Sequence, residues 1–233
     1  MKLSVRILCA ALVICMAAAL GACGLVSSSG ISADDATTYI KGDLDAYYKG
    51  TYDQKYLSLV SDYTLTDAMA QHDGNISAEA DYLMQWLEIE YPNAAVTNKA
   101  EQVVAALYAK ADYTVGAASR IEGGHYAVEV KVKPIEVLHM LTEDDFTDAF
   151  LSALEGYESY DEITDDDWEI IDADYGMAIL NKLESYIPQL TYGKEQTILF
   201  QLQLDEDGKY TATESAYQTF DAAVIDYSGN YME

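Results

Sequence analysis

No cysteine follows Cys23 in this chain of 233 residues; the other two, Cys9 and Cys15, lie still closer to the N-terminus. Beyond them disulfides, thiolate nucleophiles and cysteine-ligated metals are excluded together. Proline is scarce, at 3 residues, and no Pro- or Ser-rich linker interrupts the chain after Ile31, so residues 32–233 read as a single domain. Basic side chains are also few: 13 against 40 acidic ones, a net charge of -27. Nucleic acid is excluded as a partner, because binding phosphates needs a basic face. The same balance argues against docking of the protein body on anionic headgroups. There is no GxSxG elbow, P-loop or GxGxxG, and no HExxH. The three histidines, His72, His125 and His139, form no i, i+4 pair and read as surface or cap residues. The sequence calls for no cofactor and carries no evident catalytic signature.

What is present begins at the N-terminus. Lys2 and Arg6 precede an apolar run from Ile7 to Leu20, too short and wrongly flanked for an ordinary membrane span. Leu20-Gly21-Ala22-Cys23 follows, then a Ser- and Gly-rich stretch to Ile31. This order resembles the signal and lipobox of bacterial lipoproteins, with Gly21 a less usual choice than Ala or Ser at its position. The resemblance implies that residues 1–22 are a cleaved signal peptide and that Cys23 carries diacylglycerol and palmitate. Residues 23–31 would then tether an extracytoplasmic domain to the cell membrane.

Along the rest of the chain, helices and hairpins alternate. Ser32 with Asp35 is a capping-box-like start for a helix that Gly50 can end. Tyr52 to Tyr63 and Thr66 to Gln71 continue helically, up to a breaker at His72-Asp73-Gly74-Asn75. A further helix is expected from Ser77 to Tyr91, stopped by Pro92, and another from Thr97 to Tyr108. The period then becomes two. Tyr113–Ile121 pairs through Glu122-Gly123-Gly124 with Tyr126–Lys133, where Tyr126, Val128, Val130 and Val132 form the apolar face. Thr142 and Thr164 cap two more helices. A second hairpin runs from Gln196 to Asp205 and from Lys209 to about Ala223. Two helix-then-hairpin segments, Thr97–Val137 and Asp165–Val224, thus share a layout. The expected fold is α+β: a four-stranded antiparallel sheet from two hairpins, packed by about six helices.

The segments DDATTYIKGDLDAYYKG and YAVEVKVKPIEV, with the lipobox, resemble Gram-positive lipoproteins of the DUF5105 type. More loosely, the outline is similar to NTF2-like and cystatin-like folds. The resemblance implies an extracytoplasmic location and brings no catalytic residues.

Tyrosine is abundant, at 20 residues. Tyr56, Tyr108 and Tyr126 sit at core positions, whereas the adjacent pair Tyr47 and Tyr48, and the pair Tyr157 and Tyr160, are not expected all to be buried. These four are the candidate ligand-binding residues, since a flat ring with a hydroxyl suits a glycan or peptide. The densest acidic cluster, Asp165, Asp166 and Asp167, is a candidate calcium site, although carboxylates in a first helical turn also serve the cap and the helix dipole. Asp205-Glu206-Asp207-Gly208 looks calcium-like but falls where a hairpin turn belongs. The leading functional expectation is a membrane-anchored module that binds an unknown protein, peptide or glycan. Two alternatives stand beside it: a carboxylate-based cell-envelope hydrolase and an acidic calcium-responsive surface protein.

Overall fold

The computed structural model describes residues 25–26, 31–204 and 209–229. The segments expected to be a signal peptide and most of a tether, Cys23, and residues 205–208, where a hairpin turn is expected, lie outside them. The fold is α+β, as the patterning predicts, with seven α-helices and one antiparallel sheet among the described residues. The chain groups into two compact units.

The first unit takes in the chain to Asn75, Ala111–Pro134 and Lys194–Val224. Its sheet is built on strand β4 (Tyr126–Lys133) paired with β5 (Gln196–Leu204), with Val128 opposite Phe200 and Val130 opposite Ile198. Tyr126, Val128, Val130 and Val132 are buried together with Ile198, Phe200 and Leu202, so the period-two faces are those read from the sequence. Beyond β5 lie β6 (Lys209–Ala212) and the two-residue β1 (Leu25–Val26). On the other edge, the expected strand Tyr113–Ile121 is split into β2 (Asp112–Val115) and β3 (Ser119–Arg120), both paired with β4. The break falls after Gly116, whose N–H still donates to the Glu129 carbonyl at 2.8 Å. Ala118 N–H turns away to the Thr37 hydroxyl, also at 2.8 Å.

Helix α1 (Ala33–Lys49) starts at the capping box of Ser32 and Asp35 and ends at Gly50, which adopts the left-handed conformation with φ 57°. The short α2 (Gln54–Leu59) follows, capped by Asp53. Helix α3 (Leu65–Trp86) corrects the sequence reading. It runs unbroken through His72-Asp73-Gly74-Asn75, where a breaker is expected. The reason is partnership across elements: His72 Nδ1 lies 2.8 Å, and Asn75 Nδ2 3.3 Å, from the Tyr47 carbonyl oxygen in the last turn of α1. Carbonyls in the last turn of a helix lie beyond the reach of its i+4 N–H groups and take donors from outside. A second correction concerns the outer strand of the second hairpin, which stops at Ala212 rather than near Ala223. Glu214–Val224 forms helix α7. Tyr217, Phe220, Ala223 and Val224 recur at three- and four-residue spacing and are buried, so the helical period wins.

The second unit comprises Ile76–Lys110, Ile135–Gly193 and the chain from Ile225. Its first element is the later part of α3, which ends at Trp86 rather than Tyr91. Glu88 takes φ 59°, and Ile89 N–H returns to the Met84 carbonyl at 3.0 Å, a Schellman closure that needs no proline. Helix α4 (Ala94–Tyr108) starts earlier than expected because Asn93 caps it through two N–H groups. Helices α5 (Glu143–Ala153) and α6 (Asp165–Tyr186) begin at the predicted caps Thr142 and Thr164, each of which closes a capping box with the aspartate three residues on, and pack on each other. A 3-10 turn, Val137–Met140, follows Pro134 and Ile135. Isolated bridges join Ile135 to Tyr192 and to Ile225, bringing three remote stretches of chain to one place.

Candidate functional site

The tyrosines fall into two classes. Tyr47 and Tyr48 are both buried, at 5% and 1% exposure, so two of the four tyrosines offered as ligand-binding residues lie inside. Their rings stand edge-to-face 5.0 Å apart. Tyr48 also packs on Phe220 and donates to Asp221 at 2.8 Å, so α7, read from sequence as strand, covers it. Neither ring offers a face to a ligand. Tyr160 is different: at 63% exposure it is the most open large apolar side chain among the described residues. Tyr157 is half-buried and its hydroxyl lies 3.5 Å from Asp167 Oδ1. Five of the eleven exposed large apolar side chains of the described residues fall between Phe150 and Ile170: Phe150, Leu151, Tyr160, Trp168 and Ile170.

The carboxylates of Asp165, Asp166 and Asp167 occupy the first turn of α6. Asp167 is committed to the cap, accepting from Thr164 N at 2.9 Å and from the Thr164 hydroxyl at 2.6 Å. These hydrogen bonds hold its carboxyl below the ordinary range. Nearby Asp172 accepts from the N–H groups of Glu90 and Tyr91, at 3.0 and 2.7 Å. In the first unit, a half-open groove of about 300 Å³ is lined by Lys41, Asp45, Lys49, Tyr113, Thr114 and Val115. Its charged groups are already matched: Lys41 pairs with Asp45, Tyr113 donates to Asp45, and Lys49 Nζ sits 3.9 Å above the Tyr113 ring.

A mixed cluster in the second unit was not visible in the sequence. Glu136, His139 and Asp226 each bring one ligand atom to a point where all lie within 4.8 Å of one another. Glu136 and His139 are three apart across the 3-10 turn, and residues at that spacing eclipse; His139 N–H donates to the Glu136 carbonyl at 3.1 Å. Asp226 arrives from the C-terminal segment, fixed where its N–H meets the Ile135 carbonyl at 2.9 Å. Glu136 N–H is likewise tied to the Thr191 carbonyl at 3.0 Å. The carboxylates have outer partners: Thr191 Oγ1 is 3.4 Å from Glu136 Oε2, and Ser228 N–H donates to Asp226 Oδ1 at 2.9 Å. Two glycines leave room. A Cβ on Gly193 would stand 2.8 Å from Glu136 Oε1, and one on Gly229 3.4 Å from His139 Cδ2.

His139 Nε2 faces Asp226 Oδ2 at 3.3 Å, near enough for charge pairing, yet this buried nitrogen has no partner in good hydrogen-bonding geometry. For Asp226, burial favours the neutral acid, but the Ser228 hydroxyl and N–H together with His139 outweigh it and hold the carboxyl below its ordinary value. Two carboxylates and an imidazole meeting from three chain segments form an arrangement able to coordinate a cation. In the sequence His139 reads as a surface or cap residue because it belongs to no HExxH motif and no i, i+4 histidine pair. Only the Glu136–His139 spacing could have signalled the site.

No protein-family model matches the chain, and no curated protein matches its sequence. Among solved structures the chain is similar to the crystal structure of ycdA, a candidate lipoprotein from Bacillus subtilis, with a TM-score of 0.55 and 12% sequence identity. The likeness covers 82% of this chain and 56% of that one, so the chain spans little more than half the length of its structural neighbour. At this identity the likeness is one of fold. Among the described residues, no helix is long and apolar enough to cross a membrane.

Proposed function

We propose that this protein is a bacterial lipoprotein, anchored through acylated Cys23 to the outer face of the cell membrane, and that it acts as a binding module. Two observations support the anchor: the order of charge, apolar run and Leu20-Gly21-Ala22-Cys23 in the sequence, and a fold shared with a candidate lipoprotein. The binding role is carried by one observation, the succession of exposed apolar side chains along residues Phe150 to Ile170, of which Tyr160 is the most open. Exposed aromatic and branched side chains lose water readily when covered, and aromatic residues recur as anchors of binding surfaces. Asp161, Asp165, Asp166 and Glu169 are charged neighbours of this stretch in sequence, so an extracellular peptide bearing basic residues, or a glycan, is the matching ligand class.

Two measurements test the reading. Alkyne-palmitate labelling of cells should mark the wild-type chain, and C23A should abolish the label and release the protein from the membrane fraction. The detergent-purified full chain should bind members of a peptide or glycan array, with Tyr160→Ala and Trp168→Ala each weakening binding by about tenfold or more. An unlabelled wild-type chain removes the anchor; binding unchanged in both variants removes the surface.

A further inference from the structure

We propose that Glu136, His139 and Asp226 form a binding site for a divalent transition-metal ion of the zinc class, clamping the C-terminal segment to the turn that follows β4. The donor set selects the ion. Imidazole favours zinc and its neighbours over calcium and magnesium, which take oxygen alone. Neither thiolate nor thioether is among the three donors, so the set does not favour copper(I). Two carboxylates with a neutral imidazole balance the charge of one divalent ion.

The surroundings fit a metal better than an ion pair. In a simple His–Asp pair, the ring nitrogen would align with the carboxylate and donate to it. Here Nε2 is shielded from water, 3.3 Å from Asp226 Oδ2, and makes no hydrogen bond. A buried polar atom left in this way is costly unless something else engages it. Metal-ligating carboxylates are commonly held by a second layer of hydrogen bonds. Thr191 on Glu136, and Ser228 on Asp226, supply that layer. The backbone ties of Glu136 to Thr191 and of Asp226 to Ile135 keep the three segments in register before any ion arrives. Gly193 and Gly229 leave the side chains the space they occupy. Three protein ligands leave a coordination position for water or for a donor atom from outside.

The site is distinct from the aromatic stretch proposed above and stands or falls separately. The test uses the full chain in detergent with its cysteines replaced (C9S, C15S and C23S), so that no thiol competes. After chelator stripping, calorimetric titration with zinc should show one equivalent bound, and saturating zinc should raise the melting temperature by roughly 2–8 °C. Calcium and magnesium at equal concentration should leave it unmoved. His139→Ala should abolish the tight equivalent, and Thr191→Ala should weaken it by about tenfold through loss of the outer hydrogen bond. Glu136→Gln serves as a second ligand variant should His139→Ala unfold. Cobalt(II) gives an independent readout: its visible absorption should appear in the parent chain and vanish in the ligand variants. Absence of a tight equivalent, or zinc and cobalt binding unchanged in both ligand variants, would overturn the proposal.

Discussion

Tyr56 rests where a side chain on Gly42 would have to be. A Cβ built on Gly42 would lie 2.3 Å from Tyr56 Cβ and 2.4 Å from Cγ, inside any allowed contact. The bare backbone of α1 is therefore the surface on which α2 packs. From there the Tyr56 hydroxyl reaches Asp43 at 2.7 Å. Gly42→Ala improves helix propensity by about 1 kcal/mol, but it drives the two helices apart. Overpacking of this kind costs about 1–3 kcal/mol or more. The expected outcome is net destabilisation in urea unfolding, accompanied by lost tyrosine burial in near-ultraviolet circular dichroism.

Asp43 is buried and accepts hydroxyls from both Tyr56 and Tyr217. Burial pushes its carboxyl from an ordinary 3.8 up to about 6, with the two hydrogen bonds opposing the rise. The folded state therefore holds the Asp43 proton more tightly than the unfolded chain does. Its contribution to stability is full below pH 3.8 and fades as pH rises through about 6. The gap corresponds to about 3 kcal/mol at most. Denaturant unfolding of the wild type and Asp43→Asn at pH 4.5 and pH 7.5 isolates this group. The wild-type-minus-variant difference in stability should move in the variant's favour at the higher pH.

The opposite sign is expected at Asp145. Its side chain is buried against α6, with Lys182 Nζ 2.9 Å from Oδ1 and the Tyr186 hydroxyl 3.0 Å from Oδ2. It also completes the Thr142 capping box. Burial alone would raise its pKa; Lys182, Thr142 and Tyr186 outweigh it and lower the value. Its contribution is thus present above the ordinary carboxylate pKa of about 4 and is lost as pH falls below it. Asp145→Asn should cost about 2 kcal/mol at pH 7, from weakened hydrogen bonds to a charged group. It should cost much less at pH 3, as read from unfolding midpoints at the two pH values.

Features closed within four residues were legible in the sequence. Ser32 with Asp35 reads as a capping box, and Thr142 and Thr164 as caps, because each N-cap hydroxyl meets a backbone N–H only three residues on. The alternation from Tyr126 to Val132 was legible for the same reason, since a strand's own period reports its buried face. Misreadings arose where the deciding partner is remote. Reading residues 213–223 as strand removed α7 from view, and with it Phe220 and Asp221, the groups that bury and satisfy Tyr48. The Glu136, His139 and Asp226 cluster was hidden similarly, because Ile135 and Ile225 meet only in the folded chain. Tyr160, by contrast, needs no remote partner to explain it and is exposed.

The unbroken course of α3 supplies the last prediction. His72 and Asn75 are one helical turn apart and both address the Tyr47 carbonyl. Either alone can satisfy that terminal acceptor of α1, so the two side chains are redundant. Single substitutions, His72→Ala or Asn75→Ala, should each cost about 1 kcal/mol or less. Asn75→Ala should lie at the low end, because it also removes a buried amide oxygen that has no hydrogen-bond partner. The double variant leaves the carbonyl buried without a side-chain donor and should lose about 1 kcal/mol more than the sum of the singles. A double-mutant cycle by urea unfolding measures this coupling. Strict additivity would mean that water, not the side-chain pair, satisfies Tyr47, and that Gly74 is tolerated in α3 for another reason.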